Sequence, residues 1–266
     1  CAAVSANVKL RCIKDQSMSK TVFAIAAHPD DIEFMMSGTM FLLKEAGCEL
    51  HYMNIANGDC GTAVHDRQEI ADIRRQEAMN AAAFLGATFH ESITSDLEIF
   101  YNKDTMARVT SVVREVNPDI VLVQYPNDYM EDHNNAARLA VSATFNRGMR
   151  NAPVEPYVKP VEKEVSLYHA LPYGLYDPMR NLIKPEMYVD ITSVIDNKKK
   201  MLGMHTSQKE WLDVSQGMDS YIIEMERQAE LCGSLSGSYE YAEGWIRRLH
   251  LGFCQPDSNP LAEILA

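Results

Sequence analysis

The sequence predicts an α/β fold, a three-layer α/β/α sandwich around a mostly parallel sheet of Rossmann-like topology. Three observations carry that reading. Short apolar runs alternate with longer segments of helical composition, the order that a parallel sheet wrapped on both faces requires. Chemistry-bearing residues follow the apolar runs, and in open α/β sheets ligands bind beyond the carboxyl ends of the strands. A length of 266 residues with a hydrophobic fraction of 46% suits one such domain with C-terminal elaborations.

The elements follow in order. Thr21 to Ala27 is an apolar run that reads as a buried first strand, and Pro29 stops it while presetting the turn that follows. Thr39 to Ala46 carries helix formers with Gly47 where a left-handed cap would sit, and Leu50 to Ala56 reads as the second strand of a β-α-β unit. After a loop over Asn57 to Asp66, Arg67 to Leu85 is a long helix stopped by Gly86. A strand over Thr88 to Glu91, a helix over Asp104 to Val116 and a strand over Ile120 to Gln124 continue the alternation. The loop Tyr125 to Asp132 leads into a helix over Asn134 to Arg147. Strands over Ser166 to Ala170 and Met187 to Ile191, a helix over Val194 to His205 and a last helix over Tyr221 to Leu231 complete the pattern. Residues 1–17 read as an extension outside the fold, because Met18 precedes a natural-looking start, and 18–266 as one domain.

Composition removes several function classes. A net charge of -12 argues against a nucleic-acid partner, since a phosphate backbone needs clustered Lys and Arg. The one basic run, Lys198 to Lys200, reads as a solvated helix face. No run of about 18 apolar residues offers a transmembrane span. Cys1, Cys12, Cys48, Cys60, Cys232 and Cys254 form no C-x-x-C pair, which disfavours a zinc knuckle or a redox motif. A chain this long needs no disulfide staples, so a reducing, cytoplasmic compartment is expected. If Cys1 were a processed, lipid-modified first residue, the protein would instead be exported or anchored. The first strand-helix turn lacks G-x-G-x-x-G and no G-K-[ST] occurs, which argues against a nucleotide-binding module. The partner left is a small molecule, with homo-oligomerisation open.

The chemistry gathers in two loops. Ala26-Ala27-His28-Pro29-Asp30-Asp31-Ile32-Glu33 ends the first strand, and Glu131-Asp132-His133-Asn134-Asn135 follows the fourth. Two imidazoles and a carboxylate with one coordination position open form the ligand set of hydrolytic zinc, which lowers the pKa of bound water to about 7. Adjacent Asp30 and Asp31 point in different directions, so one can bind the ion and the other can take a proton from the water. The plainer alternative is that the two Asp cap a turn while His133 opens a helix at the surface.

These motifs resemble the LmbE-like, or PIG-L, metal-dependent de-N-acetylases. Ala27-His28-Pro29-Asp30-Asp31-Ile32-Glu33, Asp132-His133, Arg74-x-x-Glu77 with Ala81, Ala82, Leu85 and Gly86, His205-x-Ser207-Gln208 and Tyr241-Ala242-Glu243-Gly244 carry the likeness, from about Lys20 to Arg248. The resemblance implies zinc, or ferrous iron, on His28, Asp31 and His133, Asp30 as general base, and hydrolysis of an N-acetyl group on a glucosamine-type sugar. It also implies a Gly-rich turn near the substrate, matched by Asn57-Gly58-Asp59-Cys60-Gly61, while Tyr125-Pro126-Asn127-Asp128 would shape the sugar site. Asp59, Tyr125 and Asn127 are the substrate-binding candidates. Asp132 would orient a ligand or cap the following helix.

One position departs from the family. Many relatives carry a second His three residues before the metal-binding one, where this chain has Met130, and a thioether cannot donate a hydrogen bond to an oxyanion. Arg74 and His205 are the candidate replacements. On the long helix, Ile70, Ile73, Ala81 and Phe84 suggest an apolar stripe around Glu77, which Arg74 would then have to neutralise. Cys60 has no identifiable base and is not expected to act as a nucleophile. Alternatives to the sugar deacetylase are an amidase or esterase on a sugar-free substrate, or a metal-binding protein with impaired catalysis.

Overall fold

A computed structural model of the chain describes residues 19–208 and 221–265. The expected extension over residues 1–17 lies outside the described residues. Seven strands, β1 (Thr21–Ala26), β2 (Glu49–Asn54), β3 (Thr88–His90), β4 (Ile120–Val123), β5 (Ser166–Ala170), β6 (Met187–Asp190) and β7 (Ala242–Arg247), form one sheet in the order β3-β2-β1-β4-β5-β7-β6. The pairs among β1 to β5 are parallel, and β7 runs antiparallel to both β5 and β6.

The helices are α1 (Asp31–Met35), α2 (Ser37–Glu45), α3 (Arg67–Leu85), α4 (Lys103–Val116), α5 (Glu131–Asn146), α6 (Ile195–Leu202), α7 (Tyr221–Ser236) and α8 (Pro260–Leu265). They divide between the two faces of the sheet. Val22, Ala24 and Ala26 of β1 pack with residues of α2, α3, α6 and α7, while Phe23 and Ile25 pack with α4 and α5. Alternate residues of one strand thus enter two separate cores, which is why β1 is apolar throughout instead of alternating. No helix among the described residues is long and apolar enough to cross a membrane.

Several boundaries differ from the sequence expectation. The first helical segment starts at Asp31, not Thr39, because the acidic turn residues Asp31 and Glu33 themselves enter α1. Helix α5 starts at Glu131 with Met130 as its N-cap, so Asp132 is not the cap but a first-turn residue, where negative charge favours the helix dipole. Strand β7 escaped notice because Glu243 and Gly244 interrupt its apolar pattern. Lys198 is not solvated: it is 1% exposed, and its Nζ lies 2.6 Å from Glu243 Oε1 and 2.8 Å from the Phe34 carbonyl. Helix α3 buries Ile70, Ala71, Arg74, Ala78, Ala81, Ala82 and Leu85. Its inner face is therefore rotated from the expected stripe, because close-packing alanines set it, and Phe84 is exposed.

The strand order places the site. The chain winds outward from β1 to β3 and then returns to the other side of β1 with β4, so a crevice opens at the carboxyl ends of β1 and β4. Gln124 ties these ends together, its side-chain oxygen accepting the Ala27 N–H at 2.8 Å. The loops carrying His28 and His133 flank that crevice.

Candidate metal centre

Between β1 and α1 the backbone is held in an unusual shape. Asp30 has a φ of 111°, a region that costs a non-glycine residue about 1–2 kcal/mol. The turn sends the two neighbouring carboxylates apart. Asp30 faces Arg74, whose Nη2 lies 3.5 Å from its Oδ2. Asp31 faces two imidazoles, with Oδ1 3.4 Å from His133 Nε2 and Oδ2 3.6 Å from His28 Nδ1.

Each imidazole carries a carboxylate on its outer nitrogen. His28 Nε2 lies 3.1 Å from Asp132 Oδ2, and His133 Nδ1 lies 2.9 Å from Asp128 Oδ1. Such partners take the ring N–H and fix the tautomer, leaving the opposite nitrogen as a lone-pair donor. The free positions are then His28 Nδ1 and His133 Nε2, both turned toward Asp31. The ring centroids are 5.5 Å apart. Ligand atoms of His28, Asp31 and His133 all fall within 4.8 Å of one another, near the roughly 3.4 Å separation that bonds of about 2.1 Å to a tetrahedral ion impose. The donor set fits a borderline cation such as zinc or ferrous iron.

Charge agrees with geometry. Burial opposes a charge on His28, yet its hydrogen bonds to the Asp132 and Asp31 carboxylates overcome it and push its pKa up to about 10. Burial also opposes ionisation of Asp31, but His133 and His28 pull it down to about 2. A field that holds a proton on a buried imidazole would also hold a divalent cation. Asp30 behaves differently: burial pushes its pKa up to about 6, against the pull of Arg74 and with the push of Asp31.

A cavity of about 490 Å³ opens over these groups, and Asp30, Asp31, His28, His133, Arg74 and Met130 all line it. His205 does not. It is fully buried behind Asp30 with Nε2 3.0 Å from Glu33 Oε1, an ion-pair distance without the alignment of a good hydrogen bond. The expected Arg74–Glu77 pair is absent: Glu77 accepts the Ser207 N–H at 2.8 Å and the Ser207 hydroxyl at 2.6 Å. Arg74 instead donates to the carbonyls of Pro29 at 2.6 Å and Gly58 at 3.3 Å, which locks it beneath the turn that carries Asp30.

None of the three substrate-binding candidates lines the cavity. Asp59 accepts from the Asp96 N–H at 3.0 Å and from Arg67 Nε at 3.1 Å, bracing the loop. Tyr125 is half-buried and Asn127 exposed, outside the lining. Burial and the neighbouring Asp59 push the Cys60 thiol pKa up, away from the thiolate that nucleophilic attack needs. Sequence reasoning missed Asp128 as the partner of His133. It also missed Tyr129, Tyr173 and Tyr221, which line the cavity; burial, and after it the neighbouring Asp30, push the Tyr221 pKa up.

Residues 23–144 match the family model PIG-L, GlcNAc-PI de-N-acetylase. A 4-oxalmesaconate hydratase of Pseudomonas putida is 31% identical over 187 residues, 67% of this chain and 70% of the relative. The chain belongs to the PIG-L family. A diacetylchitobiose deacetylase of Thermococcus kodakarensis is 28% identical over 238 residues, 85% of this chain and 82% of the relative. The solved N,N'-diacetylchitobiose deacetylase of Pyrococcus horikoshii superposes with a TM-score of 0.74 at 24% identity, covering 92% of this chain and 89% of that one, and so shares the fold. The PIG-L match takes in His28, Asp30, Asp31, Arg74 and His133 but ends before His205 and Tyr221. The relatives by name include both deacetylases and a hydratase.

Proposed function

We propose that the chain is a divalent-metal hydrolase that removes the acetyl group from an N-acetylglucosamine-type sugar or conjugate. The observation that supports it most is the convergence of His28, Asp31 and His133 at one end of a cavity, with Asp30 beside them on an independent anchor. His28, Asp31 and His133 would hold the ion, which when bound polarises an amide carbonyl and acidifies a water. Asp30 takes the proton of the water whose oxygen attacks the carbonyl carbon. It returns that proton to the nitrogen as the C–N bond breaks, releasing acetate and a free amine. A carboxyl held near pH 6 by burial is suited to both transfers. Arg74 fixes the turn that aims Asp30. Met130 cannot donate to the developing negative charge, and among the described residues Arg74 and Tyr221 line the cavity as donors in its place.

The test is acetate release from a panel of N-acetylated sugars and simple acetamides, with the protein metal-loaded and chelated. Release from the sugars that stops on chelation is expected. Release only from sugar-free amides, or none, would overturn the reading.

A second reading, addition of water to a carbon-carbon double bond, is favoured by the 31% identical hydratase and by Met130. Arg74 is the only Lys or Arg among the described residues lining the cavity, and its guanidinium is already engaged by Asp30 and two carbonyls. Loss of double-bond absorbance without acetate would favour hydration.

A further inference from the structure

The mouth of the cavity is built for something the acetamide chemistry does not need. Tyr129 is 62% exposed and Leu97 70% exposed, yet both line the cavity together with Tyr173. Tyr129 lies edge-on to His133 at 5.5 Å and to Tyr173 at 6.1 Å, so a ring face begins beside a proposed metal ligand and continues outward. Phe34 backs that wall, its buried ring tilted against Tyr173 at 5.3 Å between centroids.

Leu97 is the sharper signal. Its φ of 64° is left-handed, a conformation that glycine or asparagine adopts readily and leucine does not. The backbone has a reason for that shape: the Leu97 N–H donates at 2.6 Å to Asp132, the carboxylate that holds His28. The side chain has no such reason. A strained residue that also leaves its isobutyl group in water carries two costs that the fold does not require.

We propose that Leu97, Tyr129 and Tyr173 form a second subsite that takes a planar or apolar group attached to the substrate sugar. The inference rests on the sugar-deacetylase reading above and names the substrate class within it: a neutral N-acetylglucosaminide whose far end is an aryl, alkyl or ring substituent. A ring or chain laid between Tyr129 and Leu97 removes apolar surface from water on both sides. The site offers no free cation among its described lining residues for an anionic substituent.

The experiment compares kcat/KM for N-acetylglucosamine, phenyl N-acetylglucosaminide and octyl N-acetylglucosaminide on metal-loaded protein. Calorimetric binding of the three matching glucosamine products serves as a second arm. The substituted sugars are expected to be better by about tenfold or more in both arms, with the gain residing in KM. Tyr129→Ala and Leu97→Asn should each cut that preference at least about threefold, and Leu97→Asn should do so without lowering Tm, since asparagine relieves the backbone. Tyr157→Ser, which removes a still more exposed ring away from the cavity, should leave the preference as it was. Hydrolysis of all three sugars at equal efficiency would overturn the subsite and leave the deacetylase reading standing. If none is hydrolysed, the deacetylase reading fails and the binding arm decides: tighter binding of the substituted products that the two variants abolish supports the subsite, and equal binding overturns it.

Discussion

Asp30 and Asp31 are chemically identical and adjacent, and the structure gives them opposite surroundings. Asp31 sits between two imidazoles that keep it ionised, whereas Asp30 is buried against Arg74 and drawn up to about 6. Asp30→Asn should therefore keep its metal and lose at least about a hundredfold in kcat; metal content and turnover measured on one preparation check both halves. Asp128→Asn and Asp132→Asn should each weaken metal affinity by about 10- to 100-fold without touching the ligands themselves, read by competition with a chromogenic chelator. Gly58 makes a further residue-scale test. Its φ is 81°, and a Cβ there would meet Arg74 at 2.6 Å, whereas Gly47, with φ 87°, faces open space. Gly58→Ala should lower kcat by about tenfold as well as stability, because Arg74 positions the turn, while Gly47→Ala should cost stability alone. The two loops that bring His28, Asp31 and His133 together were legible in the sequence because a His and two Asp stand where an apolar run stops. Asp128 was not, because its role appears only once α5 starts at Glu131 and swings the His133 ring back over the preceding turn.

At the scale of elements, the short helices after β1 hold the site, and a remote strand holds the helices. Glu243 of β7 accepts the Gly38 and Thr39 N–H groups at 2.8 and 2.7 Å, buried donors in the first turn of α2 that have no partner within the helix, and pairs with buried Lys198 of α6. Lys198 in turn caps the Phe34 carbonyl of α1. One ion pair thus joins three helices to β7, the strand next to the edge of the sheet. Glu243→Ala would leave the lysine charge buried and α2 uncapped, and should destabilise the protein by about 3–5 kcal/mol, measured by urea unfolding. Strands β1, β2, β4 and β5 and the helices α3 and α4 were readable within a residue or two, since each combines a clear period with a cap or stop such as Gly86. What failed to show were elements whose pattern is broken by working polar residues. The motif Tyr241-Ala242-Glu243-Gly244 was visible as a motif, but its carboxylate acts across the sheet, and nothing local reports that distance.

For the whole molecule, a parallel sheet whose order reverses beside β1 brings two loops, over a hundred residues apart in sequence, to one crevice. Its stability has a defined acid limb. Burial holds His169 down to about 4, with Nδ1 donating to the Gln124 carbonyl at 2.8 Å, and holds His90 likewise near 4. A pKa depressed below the unfolded value of about 6.5 means that the unfolded chain binds the proton first. The contribution is therefore complete above pH 6.5 and is lost as pH falls toward 4, at most about 3 kcal/mol for the buried His169 and less for the half-buried His90, which solvent screens. In a His169→Gln variant the urea midpoint should fall less steeply over that window than in the parent, whatever the absolute stability. The central claim is that His28, Asp31 and His133 meet on one divalent ion. Metal stoichiometry of the purified chain and of its Asp31→Ala and His133→Ala variants tests it most directly: about one equivalent in the parent and close to none in the variants is the predicted result, and an undiminished equivalent in either variant would contradict it.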